Sequence, residues 1–239
     1  MTVLLNMVSK KEKLELVAKS DDMYELTLYG AIGESWFEES VTAKNVINEI
    51  KKIPDKVKEI QVRLNSPGGS VFDGITIYER LRQHKAKKTV YVDGVAASIA
   101  SIIAMAGDEI HVGEGSFIMI HRPMTGIYGN AAELEKTIDI LDKIENQMIA
   151  IYSRKTGLSN AEVSKLMSEE TWFNADESLD KGFATNKTGV EANLRMVASA
   201  LKNGASWIKK TPNLAALKKK DTDLVAGLKN RVEQFLARK

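Results

Sequence analysis

The sequence predicts an α/β domain with a basic, helical C-terminal extension, on three observations. Strand-like and helix-like runs alternate through residues 1–200, a unit of strand, glycine turn and helix occurs twice in succession, and the charge changes character near residue 186. With 239 residues, 44% hydrophobic and 28% charged, the chain can bury one large core or two modest ones. It has no cysteine, which excludes a disulfide framework, a thiolate metal site and a cysteine nucleophile, and points to a cytoplasmic home. The three histidines, His84, His111 and His121, lack the spacing of a multi-histidine metal centre, so neither a metal nor a cofactor is expected. The lysines at 10, 11 and 13 follow the first apolar stretch, the reverse of a signal peptide, and no apolar run approaches the roughly 18 residues of a membrane span.

In chain order, Leu14-x-Leu16 and Tyr24-x-Leu26-x-Leu28 flank Ser20-Asp21-Asp22 as a hairpin. Residues 42–52 read as a helix stopped by Pro54. Ile60, Val62 and Leu64 alternate as a strand that runs into Asn65-Ser66-Pro67-Gly68-Gly69, and Val71, Ile75, Tyr78 and Leu81 then fall at helical spacing. The unit repeats with a strand over 89–92, Gly94, and a small-residue helix over 96–105. Strands over 110–112 and 116–121 follow, the second ending on His121. Asn130-x-x-Glu133 is a capping box that opens a long helix with an apolar stripe of Leu134, Ile138, Leu141, Ile144 and Met148, which suits a core or a subunit interface. Ser159-x-x-Glu162 opens another helix, residues 171–173 read as a short strand, and Asn174-x-x-Glu177 caps a helix that ends at Gly182. Three regions result: an N-terminal segment with the first strand (1–23), the main domain (24–186) and the extension (187–239). Residues 201–239 carry +7 and the rest −5, so the extension is either a solvated basic helix or a segment with its own partner. Its lysines lack interleaved aromatic residues, which disfavours nucleic acid.

Three segments carry candidate chemistry. Gly94-Val95-Ala96-Ala97-Ser98 places a hydroxyl at the start of an apolar helix, where free N–H groups favour negative charge; Ser98 is either a nucleophile or an N-cap. His121 ends a strand before a Pro/Gly loop and is the candidate base, whereas His84 and His111 read as surface residues. Gly68-Gly69 lets a backbone approach closely and leaves N–H groups unpaired, as an oxyanion hole or peptide anchor requires; no Gly-Lys-Ser/Thr follows, so a phosphate loop is disfavoured.

In this order and at these separations, Asn65-Ser66-Pro67-Gly68-Gly69, Gly94-x-Ala96-Ala97-Ser98 and Met119-Ile120-His121-x-Pro123 resemble the proteolytic subunit of the Clp protease, over about residues 24–186. The resemblance implies the ClpP/crotonase fold, a spiral of β-β-α units. It further implies Ser98 as nucleophile, His121 as general base, and the backbone N–H groups of Gly69 and Ile99 as oxyanion hole. It implies a homo-oligomer of rings packed through the segment after His121 and the long helix, with peptide or protein substrates. Whether an ATP-driven unfoldase docks is left open.

The departures from that pattern are specific. Asp93 stands where the family tends to have an apolar residue, Arg122 where it usually has glutamine, and Thr171 at the position of the triad aspartate, with Glu169 and Glu170 just before it. A Ser98/His121 dyad oriented by Thr171 is favoured over a triad through Glu170, because alternation along a strand points Glu170 away unless a bulge re-aims it. With the basic tail, the combination is similar to phage ClpP-related head maturation proteases, which implies capsid, portal or scaffold precursors as substrates. The competing readings are a non-catalytic or latent assembly protein of the same fold and a crotonase-class acyl-CoA enzyme, which needs neither Ser98 nor His121.

Overall fold

The computed structural model describes residues 13–34 and 41–188. The expectations for the first residues and for the extension beyond 188, including its charge and the Leu224, Leu228, Val232, Phe235 face, lie outside the described residues. Among the described residues no helix is long and apolar enough to cross a membrane.

The hairpin forms as β1 (Lys13–Ser20) and β2 (Met23–Tyr29), antiparallel, with a register shift next to Ser20. Helix α1 (Ala43–Ile50) starts on Thr42, whose side chain accepts from the Asn45 N–H. Strand β3 (Glu59–Ser66), helix α2 (Val71–Gln83), strand β4 (Lys87–Ala97) and helix α3 (Ile99–Ala104) make the repeated unit. Strands β5 (Glu109–Gly113) and β6 (Phe117–Ile120) precede helix α4 (Ala131–Thr156), and α5 (Asn160–Ser168), β7 (Thr171–Phe173), α6 (Ala175–Asp180) and β8 (Asn186–Thr188) complete the described chain. All three expected capping boxes form, on Asn130, Ser159 and Asn174.

The sheet runs β1-β2-β3-β4-β5-β8, parallel from β2 through β5. In β3, Ile60, Val62, Leu64 and Ser66 are buried while Glu59, Gln61, Arg63 and Asn65 stay half-exposed, so alternation gives the sheet one apolar and one polar face. Most buried apolar side chains of the strands, with Val46 and Ile50 of α1, Ile77 and Leu81 of α2, and Ile99, Ile102 and Ile103 of α3, belong to one core, while Ala97 and Met119 form a small cluster of their own. On the polar face Asp93 accepts from Tyr29 Oη at 2.7 Å and pairs with Arg63, whose guanidinium lies 5.0 Å from the Tyr91 ring centre. That network accounts for an acidic residue where the resemblance led one to expect an apolar one.

Strand β4 serves two partners in succession. Thr89 to Val92 pair with β5, and Val95 to Ala97 pair with β6, which in turn pairs antiparallel with β7. Between the halves the register against β3 slips, from Leu64↔Val92 to Ser66↔Ala96. Asn65 Oδ1 accepts from the Val95 N–H at 3.1 Å across the irregularity, and a side chain at Gly94 would meet that oxygen at 2.8 Å. The expected helix over 96–105 is corrected here: Ala96 and Ala97 are strand residues, because β6 offers them ladder partners, and the helix starts only at Ile99.

The other two histidines are not plain surface residues. His84 is half-buried and its Nδ1 accepts from the Ala86 N–H, while the His111 ring lies tilted against Tyr91 and meets Glu109 at 3.1 Å. The stripe on α4 divides: Met148 is buried and Ile144 packs on the core, but Leu134 and Ile138 are 40% and 57% exposed, so the first half of the helix projects beyond the core.

Candidate active site

Ser98 is the single residue between β4 and α3, and its backbone is unusual. With φ 55° and ψ −130° it lies outside the regions that L-residues ordinarily occupy. Its N–H donates to the Met119 carbonyl at 2.9 Å, so β6 clamps the turn from the side. The hydroxyl makes no helix-capping bond. Instead Ser98 Oγ lies 2.7 Å from His121 Nε2, across 23 residues of sequence.

The position of His121 follows from the same ladder. Ala97 pairs with Met119, so the residue after β4 and the residue just past β6 emerge side by side at the carboxyl ends of two parallel strands. His121 is half-buried, and burial pushes its pKa below the ordinary imidazole value while the charge of Glu170 opposes that shift. A neutral imidazole accepting from Ser98 through Nε2 carries its proton on Nδ1.

Two backbone N–H groups adjoin the pair. Ile99 is the first residue of α3, where helical bonding supplies no acceptor. Gly69 bridges Ile32, with the Ile32 N–H bound to the Gly68 carbonyl at 2.9 Å and the Ser70 N–H to the Ile32 carbonyl at 2.7 Å, a pattern that leaves the Gly69 N–H unused. Gly68 and Gly69 both have positive φ, 95° and 147°, and a Cβ at Gly68 would stand 2.6 Å from Ser98 Cβ and 3.2 Å from Ile99 N. The glycine turn therefore packs directly on the backbone of Ser98 and its neighbours.

The third position is where structure and sequence expectation part. Thr171 pairs with Ile120, and its hydroxyl donates to the Leu166 carbonyl at 2.7 Å, tying β7 to the end of α5 rather than orienting the imidazole. Glu170 stands just before β7, outside that ladder. Its φ is 50°, a left-handed conformation that breaks the strand alternation on which it was set aside. Trp172 Nε1 lies 3.5 Å from its carboxylate, and its charge bears on His121. Among the described residues His121 Nδ1 has no hydrogen-bond partner. Thus the structure brings Ser98, His121 and the glycine turn beside Ile99 together, while neither Thr171 nor the exposed Glu170 bonds to His121, and only the charge of Glu170 bears on it. The residues that sequence reasoning missed are Met119, through its carbonyl, and Asn65, through its side chain; only Asn65 left a signal, as the polar residue that ends an apolar alternation. Among the described residues no group of three or more His, Asp or Glu could hold a metal ion.

A serine clamped in a tight strand-to-helix turn, bonded to a half-buried histidine and flanked by unused backbone N–H groups, defines the class as a serine hydrolase built for acyl transfer. A family model described as Clp protease matches residues 28–188, and the chain belongs to that family of serine peptidases. It is 31% identical over 156 residues to the ATP-dependent Clp protease proteolytic subunit 1 of Chlamydia abortus, an alignment that covers 62% of this chain and 81% of that one. With the ATP-dependent Clp protease proteolytic subunit of Deinococcus radiodurans it shares 30% identity over 151 residues, 60% and 72% of the two chains. The fold matches that of a ClpP1 variant from Listeria monocytogenes with a TM-score of 0.60, at 22% identity, covering 69% of this chain and 90% of that one. The expected ClpP fold is thereby established for the described domain.

Proposed function

We propose that this chain hydrolyses peptide bonds of protein substrates with Ser98 as nucleophile and His121 as general base, inside a chamber formed by copies of itself. The 2.7 Å contact between Ser98 Oγ and His121 Nε2 carries this reading. Serine attacks the scissile carbonyl as its proton passes to Nε2. The N–H groups of Gly69 and Ile99 receive the oxyanion, and the imidazolium returns its proton to the leaving amine. Water then repeats the cycle on the acyl-enzyme, so no metal or cofactor enters any step. The crotonase alternative has no use for this pair.

The chamber is supported by the exposed Leu134 and Ile138 on the projecting half of α4, an apolar surface that a second copy would cover. For substrates we favour capsid, portal or scaffold precursors of a phage, in a bacterial cytoplasm. Threonine at the family's aspartate position and a strongly basic extension support a narrow processing role over bulk degradation. A fluorogenic peptide assay on the full chain tests the activity. Hydrolysis lost in Ser98→Ala is the expected result, and hydrolysis that persists in that variant contradicts it.

A further inference from the structure

A second site lies at the opposite end of the sheet from Ser98. Ser98 follows the carboxyl end of β4, whereas Lys88 and Asp108 sit at the amino ends of β4 and β5. There the end of α2, the start of β4, the turn from α3 to β5 and the end of α4 line an open cleft of about 210 Å³. Four cations line it: Arg82, Lys88, Arg154 and Lys155.

Their partners do not balance them. The one carboxylate in the lining, Asp108, is taken by Lys88: it accepts from the Lys88 N–H at 2.7 Å and lies 3.2 Å from its ammonium, which is 10% exposed. Arg154 donates to the hydroxyl of Tyr78 at 2.6 Å, and Arg82 reaches the same oxygen at 3.4 Å, so two guanidinium groups converge on one neutral acceptor. Arg82 has only the exposed carboxylate of Glu79, at 3.6 Å. Lys155 turns its ammonium into the backbone carbonyls of Gly107 and Asp108, and its pKa is lowered chiefly by burial. Among the described residues neither Arg154 nor Lys155 has a carboxylate within ion-pair distance. Lys88 is buried and Lys155 half-buried while Arg82 and Arg154 reach solvent at the mouth, and like charges gathered around one cleft repel one another, a cost that a bound anion removes.

We infer that this cavity binds a small multivalent oxyanion of the phosphate type. Donors arriving from three elements surround a volume rather than a plane, which suits a tetrahedral anion better than a flat carboxylate. At about 210 Å³ the cavity is smaller than the roughly 300 Å³ or more of sites for drug-sized ligands, so the ligand is an ion or a single phosphoryl group and not a nucleotide.

The test is calorimetric titration of the full-length protein with inorganic phosphate at constant ionic strength set with chloride, alongside a titration with acetate. Arg154→Gln and Arg82→Gln serve as variants, because both side chains reach solvent and neither belongs to the core. Saturable phosphate binding is expected, weakened about tenfold or more in each variant, since each removes a charge-assisted hydrogen bond. A phosphate-dependent rise in Tm that disappears in both variants is the second expected result. No saturable binding, equal binding in wild type and variants, or acetate binding as tightly as phosphate would each overturn the inference.

Discussion

His121 Nε2 stands 2.7 Å from Ser98 Oγ because Met119, two residues before His121, pairs with Ala97, the residue before Ser98, on adjacent parallel strands. The contact between the two side chains is a consequence of the ladder, not of the loop after it. Loss of the imidazole in His121→Ala should therefore leave the fold intact while the peptide rate falls by several orders of magnitude, as for the loss of a lone member of such a pair. Circular dichroism and a progress curve on the same preparation check both halves.

The charge partner of His121 is separable from the tie on β7. Glu170→Gln removes the charge that raises the His121 pKa, so the acid limb of the rate profile should move to lower pH while the plateau rate falls. Thr171→Val should leave that limb in place and cost about 1 kcal/mol of stability through the lost bond to the Leu166 carbonyl. A profile that shifts in Thr171→Val and stays put in Glu170→Gln would restore the threonine to the catalytic role.

Burial lowers the folded-state pKa of His121 below its unfolded value, so folding favours the neutral ring. The resulting stability is complete above the unfolded pKa and is lost as pH falls through the folded one. Activity needs the same neutral form, so Tm should begin to fall as pH drops through the ordinary histidine range, and the rate should follow at the lower pH where the folded-state ring itself protonates. His121→Ala should flatten part of the decline in Tm.

At Gly68 the backbone itself is under constraint. Alanine there would place its Cβ 2.6 Å from that of Ser98 and 2.7 Å from the Ala97 carbonyl at a φ of 95°. Gly68→Ala should cost roughly 1–3 kcal/mol in strain and, by displacing Ser98 and Ile99, reduce kcat far more than it raises KM. Denaturant melts and steady-state kinetics read the two effects.

Assembly has its own test on the projecting half of α4. Leu134→Asp with Ile138→Asp changes exposed residues, so the monomer should fold while light scattering reports a smaller particle than for the wild type. A wild-type protein that is already monomeric at micromolar concentration contradicts the chamber. For the extension, removal of the chain after Thr188 keeps β8 whole. A peptide rate that survives while cleavage of a capsid or scaffold precursor collapses supports recruitment by the basic segment, and an equal loss on both substrates opposes it.

What could be read in advance was local. The capping boxes on Asn130, Ser159 and Asn174 and the β1–β2 hairpin depend on residues a few positions apart, and each formed as expected. Ala96 and Ala97 could not be assigned in this way, because a run of small apolar residues suits a helix and a buried strand alike, and the pairing that decides lies with Ile118 and Met119. Glu170 was discounted on strict alternation, which its left-handed backbone breaks, and a single positive φ at a non-glycine residue leaves little trace in sequence. Ser98 and His121 were legible as candidates because each sat at the end of a predicted element; their 2.7 Å contact needed the sheet.

The most direct measurement is covalent labelling of the full-length protein with a fluorophosphonate, followed by peptide mass mapping. The expected result is one adduct on Ser98, strongly slowed in His121→Ala and absent in Ser98→Ala. Failure of the native protein to label, or an adduct on a serine other than Ser98, would contradict the assignment of a Ser98–His121 peptidase.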